Sequence, residues 1–432
     1  MKKRFFRKVL IIADDFTGAN DTVAQFAKLA LPSVTVIRSS ACTSSYLRSL
    51  ADEYDVIAIN TDSRALDPRE AYKAIYSLFE KINEAFDEAE DLLIHKKIDS
   101  TLRGNITAEL QAVYDSFKPQ LISFAPAYPK QGRTTLNGIH LVNGVPVDQT
   151  QFAKDPRNPV KSSYIPSYFE DVFKEKYKHI TIDELRSDKA SDMIERYEVL
   201  SFDIENDNDL KTLVNCVLRT DKKVIWVGSA GLAEHLAYTT IVGRTRGKPV
   251  LVAIGTLNNV TRIQVSELTK ALNCKLLLIN LKSLLDDPEL EYKRLKDDIE
   301  VGLKESSEII LTTSYTQEQV KDGELLANEM GIGLSQLGAL IAKNMGELIN
   351  MIVSDYGIER FSGIFASGGD IALAIINKLN IDFVSVIGEI EPGLPLLKHK
   401  NSYIVTKAGG FGKEDTLIKT VVRIKSLARR HE

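Results

Sequence analysis

The sequence predicts an α/β protein of two domains, each built on a mostly parallel sheet flanked by helices. Three observations predict it. Short runs rich in Val, Ile and Leu recur from KVLIIA (8–13) to SYIVTKAGG (402–410), and such runs read as strands buried on both faces. Helical patterns such as 67–87 and 335–355 separate them, the alternation that carries parallel strands through helical crossovers. The 432 residues also exceed what one core organises, since domains run to roughly 150 residues, and two domains are the simplest division.

In order, the strand runs of the first domain are KVLIIA, SVTVI (33–37), DVIAIN (55–60), LLIHKK (92–97), LISFAPA (121–127) and KVIWVG (223–228). Those of the second are PVLVAIG (249–255), KLLLIN (275–280), EIILTT (308–313), FSGIFASGG (361–369) and SYIVTKAGG. The polar stretch VGRTRGKPV (242–250) separates a helix from a new buried strand, which sets the domains at 1–243 and 249–432. Residues 152–209 are more polar and carry Pro156, Pro159 and Pro166, so loops and small elements are expected there. No internal repeat is apparent.

Composition narrows the function. The formal net charge of −4 gives no global field to attract nucleic acid or an anionic membrane. Cys42, Cys216 and Cys274 are scattered and lack CxxC spacing, which fits neither a disulfide framework nor a zinc site. The basic opening MKKRFFRKVLIIADD is interrupted by Asp14 and Asp15 after a short apolar run, too soon for a signal peptide. No window approaches the roughly 20 apolar residues of a spanning helix, so a soluble, cytoplasmic protein is expected.

Ligands of open α/β sheets gather at the carboxyl ends of strands. After the first strand, ADDFTGAND (13–21) places Asp14 and Asp15 before a helix start, where they can bind hydroxyls, take a proton, hold a hydrated cation or simply cap the helix. The two acids are adjacent, which disfavours a phosphatase whose paired Asp are separated by one residue. HKKIDSTLRGN (95–105) brings Lys97, Asp99 and Arg103 to another strand end, and Lys with Arg suits a carboxylate. Asp62 and Arg64 follow a third strand in NTDSRALDP (60–68). The Pro- and Gly-rich passage 124–160, with Tyr128, Lys130, Gln131, Arg133, Asn137 and Asp155, reads as a long loop forming a substrate wall or lid. His140 has no nucleophile to pair with and reads as structural.

Glycine turns end strands in GSAGLAEHLA (228–237), AIGTLNNVTRIQ (253–264), ASGGDIALAI (366–375) and TKAGGFGKEDTL (406–417). Their backbone N–H groups could approach phosphate oxygens, so four such turns suggest a nucleotide site. GGFGKE is no P-loop, because Glu414 stands where Ser or Thr must follow the Lys and Lys407 replaces the first Gly. GxGxxG is missing after the first strand, which removes the main support for NAD chemistry.

Taken in order, DDFTGAND, KKIDSTLRGN, APAYPKQGRT, GSAGLA, SGGD, EPGLPL and TKAGGFG resemble the four-carbon acid sugar kinase family over nearly the whole chain. The resemblance implies an N-terminal sugar-acid domain and a C-terminal ATP domain, with chemistry in the cleft between them. It implies transfer of the γ-phosphoryl group of ATP, with magnesium, to the terminal hydroxyl of threonate or erythronate. Asp14, Asp15, Arg64, Lys97, Asp99 and Arg103 would then face the acid. Thr256, Ser367, Gly368, Gly369, Asp370, Gly409, Gly410 and Gly412 would surround ATP. Asp370 is the first choice of proton acceptor and Asp15 the second; metal ligands are not identified. The chain departs from the family in reading GTLN for a GSCS-like turn and Ile371 where Thr is common, which removes a hydroxyl contact to ATP or metal. TGAND resembles threonate and erythronate kinases more than the 3-oxo-tetronate branch. A non-catalytic sugar-acid sensor and another nucleotide-dependent enzyme on the same acids are the rivals; a homodimer is left open.

Overall fold

The computed structural model describes residues 6, 8–29, 31–86, 92–187, 189–242, 247–255 and 258–428, in two compact units, Met1–Arg244 and Thr245–Glu432. In the first unit the strands are β1 (Lys8–Ala13), β2 (Ser33–Val36), β3 (Val56–Asn60), β4 (Leu92–Lys97), β5 (Leu121–Ala125), β6 (Arg133–Leu136), β7 (Ile139–Val142), β8 (Val145–Pro146), β9 (Tyr177–Ile180), β10 (Val199–Phe202) and β11 (Val224–Gly228). The second holds β12 (Val250–Ile254), β13 (Cys274–Leu278), β14 (Glu308–Thr312), β15 (Gly363–Ser367), β16 (Ser385–Glu389), β17 (Pro395–His399) and β18 (Ser402–Lys407).

The main sheet of the first unit runs β2-β3-β1-β4-β11-β5-β10-β9, and its pairings are parallel. Val9 through Ala13 of β1 are fully buried, as strands covered by helices on both faces must be. The chain passes from β1 to β2 and β3 on one side and to β4 on the other, so the order reverses between β1 and β4. That reversal opens a crevice above the carboxyl ends of the two strands. The second sheet, β13-β14-β12-β15-β18-β17-β16, repeats the device between β12 and β15 and ends in two antiparallel strands. Its core, with Leu251, Leu311, Met345 and Ile364 fully buried, belongs to that unit alone.

One expectation needs correcting. The passage 124–160 is not a long loop: β6, β7 and β8 form an antiparallel sheet. Asn137-Gly138 and Asn143-Gly144 make its turns, all four residues with positive φ, the conformation that two-residue hairpins demand and that Asn-Gly supplies. Residues 152–209 hold the small elements expected of them, 3-10 turns and short helices, together with β9 and β10, which extend the edge of the main sheet. Among the described residues no single helix is long and apolar enough to cross a membrane.

Candidate active site

In the first unit the carboxyl ends of β1, β4 and β11 open on a cavity of about 350 Å³. Asp14 follows β1 and is buried. Arg64, which follows β3, donates to it from Nε at 2.8 Å and from Nη2 at 2.9 Å, and Nη2 also reaches Asp15 Oδ1 at 2.8 Å. Asp14 thus anchors Arg64 and does not itself line the cavity, whereas Arg64 and Asp15 do. Asp15 is also the cap of the helix Phe16–Ala27, accepting from Gly18 N at 3.0 Å, so capping and cavity lining fall on one carboxylate. Burial works against the Arg64 charge, but the hydrogen bonds and charge of Asp14 prevail and raise its pKa.

Asp99 and Arg103 form the second pair, with Nε to Oδ2 at 2.6 Å and Nη2 to Oδ1 at 3.2 Å. Burial alone would raise the Asp99 pKa; hydrogen bonds from Arg103 and Thr101 and the Arg64 charge outweigh it and lower the value. Arg103 Nη1 donates to Asp155 at 3.0 Å and lies 5.3 Å above the Phe152 ring. The backbone N–H groups of Asn158 and Arg157, then Arg103, hold Asp155 down to about 2.

Lys97 differs from both arginines. Alternation along β4 sends Lys96 to the opposite face, where it pairs with buried Glu109 at 2.5 Å. Lys97 is 5% exposed and lines the cavity, yet its ammonium has no hydrogen-bond or ion-pair partner among the described residues. It rests over the start of the helix Phe16–Ala27: a Cβ on Gly18 would lie 2.6 Å from Nζ. An ammonium that lines a cavity without a counter-charge among the described residues is placed to take a ligand anion.

Other expected residues divide. Tyr128 and Gln131 line the cavity; Lys130 instead pairs with Glu234 at 2.5 Å, and Asn137 turns the hairpin. Asp62 is exposed and begins a 3-10 turn. His140 is fully buried between Thr135 Oγ1 at 3.0 Å and the Ser100 carbonyl at 2.8 Å, and burial lowers its pKa to about 4. The GSAGLA turn belongs to the first unit's cavity. Because β11 lies between β4 and β5, Ser229 and Ala230 line the first unit's cavity. Its glycines serve close packing: a Cβ would come within 2.3 Å of the Ala125 carbonyl at Gly228 and 2.8 Å of the Ala127 carbonyl at Gly231. Asp21 and Ser100 also line the cavity and escaped the sequence reading. Asp21 lies one helical turn beyond Thr17, the spacing that could have found it.

In the second unit, β15 and β18 pair in parallel so that Ser367 meets Lys407. Ser367 to Asp370 and Gly409 to Gly412 therefore follow neighbouring strand ends. Gly368, at φ 114°, donates its N–H to the Lys407 carbonyl at 2.8 Å, which ties the two turns together. Ser367 Oγ is buried without a partner, and the exposed Asp370 carboxylate has none among the described residues. Ile371 is buried over Gly255, where a Cβ would meet its Cδ1 at 2.3 Å. Thr256 lies outside the described residues. A helix start with free amides and an unpartnered carboxylate suits a nucleotide carrying magnesium, which takes one or two carboxylates beside phosphate oxygens.

Comparison with known proteins agrees with this division. Residues 9–236 match the sugar-binding N-terminal domain family, and residues 251–417 the nucleotide-binding C-terminal domain family. The D-threonate kinase of Salmonella typhimurium is 30% identical, across 97% of this chain and 99% of that protein. The D-erythronate kinase of Heliobacterium modesticaldum is 26% identical, across 94% of each. A crystal structure from Bordetella bronchiseptica, of a domain of unknown function with bound citrate in a domain-swapped dimer, aligns with a TM-score of 0.70 at 26% identity. It covers 97% of this chain and 98% of that one. With both domain families matched in order and full-length relatives on either side, the chain belongs to the four-carbon acid sugar kinase family.

Proposed function

We propose that this protein is an ATP-dependent kinase that phosphorylates the terminal hydroxyl of a four-carbon sugar acid, D-threonate or D-erythronate. The observation that carries the reading is Lys97, whose ammonium lines the cavity with no counter-ion among the described residues, beside Arg64 and Arg103, which are each paired with carboxylates. Full-length relatives that are D-threonate and D-erythronate kinases support the same chemistry.

In this account the first unit binds the acid and the second binds ATP. Lys97 takes the substrate carboxylate, with Arg103 beside it. Asp15, paired with Arg64, and Asp99, paired with Arg103, accept hydrogen bonds from substrate hydroxyls. Asp14 serves the substrate through Arg64. Gly369, Gly409, Gly410 and Gly412 offer backbone amides to the phosphates, Gly368 ties the two turns together through its bond to the Lys407 carbonyl, and Ser367 adds its orphaned hydroxyl. Phosphoryl transfer asks chiefly for alignment and charge stabilisation, and magnesium carried by the nucleotide would supply part of the latter. Asp370 is our first assignment for accepting the hydroxyl proton and Asp15 the second. The reading places the enzyme in the cytoplasm as a homodimer, the latter in line with the dimeric Bordetella structure.

The test is ADP release from ATP and magnesium across D- and L-threonate, D- and L-erythronate and their 3-oxo relatives. Turnover with D-threonate or D-erythronate is expected; turnover confined to the 3-oxo acids would move the protein to that branch. Tight acid binding with no ADP would make it a sensor.

A further inference from the structure

Lys407, the last residue of β18, stands behind the glycine turn 408–412. It is 2% exposed, and among the described residues no carboxylate pairs with it. Its ammonium instead gathers main-chain oxygens: Gly409 O at 2.8 Å, Ala408 O at 3.2 Å and Phe411 O at 3.2 Å, with Thr261 Oγ1 at 3.0 Å. The helix Asn259–Ala271 closes on the same atoms. Thr261 Oγ1 donates to Gly409 O at 2.7 Å, and Gln264 Nε2 donates to Phe411 O at 3.1 Å and Lys413 O at 2.8 Å.

The described peptide bonds are all trans, and in a trans peptide the N–H points opposite to the C=O. Carbonyls of residues 408, 409 and 411 turned toward Lys407 therefore turn the N–H groups of Gly409, Gly410 and Gly412 away from it. None of these three amides has a partner among the described residues, whereas Phe411 N–H closes the turn onto Ala408 O at 3.1 Å. Successive unpaired amides facing one way form an anion-binding concavity.

We propose that Lys407 is the positioning residue of the nucleotide site: from behind the turn it holds three carbonyls on its own side, and so presents the amides of Gly409, Gly410 and Gly412 as a cradle for phosphate oxygens. The proposal rests on the reading that the second unit binds ATP. Lys407 does this without touching the ligand, whereas a P-loop lysine reaches past its loop to the phosphates. Its full positive charge lies behind the cradle and adds to the field there.

A pH signature accompanies the geometry. Burial lowers the Lys407 pKa to about 8, and an anion in front of the turn favours the protonated form. By linkage, ATP binding takes up protons and weakens as pH rises through about 8. Thr261 and Gln264, which face the ammonium from the neighbouring helix, do not titrate there. The acids beside the turn, Glu391 and Asp415, are ion-paired to Lys419 at 2.6 Å and 3.1 Å, and Lys413 and Glu414 are exposed.

The experiment is calorimetric binding of ATP, inorganic triphosphate and D-threonate to the full chain, wild type against Lys407→Met, with ATP repeated from pH about 7.5 to about 9. Lys407→Met is expected to weaken both phosphate ligands about 10-fold or more, leave D-threonate unchanged and flatten the pH dependence of ATP binding. Phosphate affinity within about 2-fold of wild type overturns the role. If the variant fails to fold, the wild-type titration decides: a flat ATP profile overturns the proposal. Wild-type binding of triphosphate but not ATP overturns the nucleotide reading and keeps the cradle; binding of neither overturns both.

Discussion

Lys96 and Lys97 are adjacent and both buried, yet of the two only Lys97 has no side-chain partner among the described residues, and the β-strand period of two is the reason. Removing its charge while keeping its length, as in Lys97→Met, forfeits a charge-assisted contact of about 1.5–3 kcal/mol. We expect an acid KM about 10- to 100-fold higher with the ATP KM unchanged; an unaltered acid KM in steady-state kinetics would remove Lys97 from the carboxylate. The same assay ranks the carboxylates. Asp370→Asn should lower kcat more than Asp15→Asn, and the reverse order with ATP binding intact would exchange the proton-acceptor assignment. At this scale the motifs exposed Lys97, Asp99, Arg103 and Asp15 because each follows an apolar run. They could not expose the Arg64–Asp14 bonds, which depend on β1 lying beside β3, or the Arg103–Asp155 bond across 52 positions. Neither has a local signal.

The helix Phe16–Ala27 begins where three demands meet: Asp15 caps it, Gly18 sits in its first turn, and Lys97 lies against it. Gly18 is there for space. Alanine would favour the helix by up to about 1 kcal/mol, but its Cβ would come 2.4 Å from Asp15 Oδ1 and 2.6 Å from Lys97 Nζ. Gly18→Ala should therefore hold or raise the melting temperature while lowering kcat/KM for the acid by about 100-fold, since displaced groups near the reacting centre are costly. Wild-type kinetics in a folded variant would contradict this. Elements with long apolar runs, such as β1, β4, β12 and β18, were legible as strands. The hairpin β6–β8 was legible too, through Asn-Gly at 137–138 and 143–144, but the glycines and prolines around it read as a loop. Strands β9 (YKHI) and β16 (SVIGE) were not, because four or five residues of mixed polarity carry no period. β16 is exposed along its whole length, so burial left no pattern in it.

Over the whole molecule the same device occurs twice, a parallel sheet whose order reverses beside its first strand, with sequence motifs on the strand ends at each reversal. The α/β class and the division near residue 244 follow from alternation and from a polar stretch, both local features. Strand order does not: only the three-dimensional sheet places β11 between β4 and β5, which brings Ser229 and Ala230 of the GSAGLA turn to the first unit's cavity. In the proposed function the Lys97 ammonium in the first unit and the amides of Gly409, Gly410 and Gly412 in the second, all without partners among the described residues, divide the tasks of a phosphoryl transfer. The most direct test is phosphorus NMR of the product formed from ATP, magnesium and D-threonate or D-erythronate by the full-length protein. ADP together with a phosphomonoester coupled to the protons on the terminal carbon of the acid is the expected result. An acyl phosphate on the carboxylate, release of AMP, or unconsumed ATP with protein shown to be folded would contradict it.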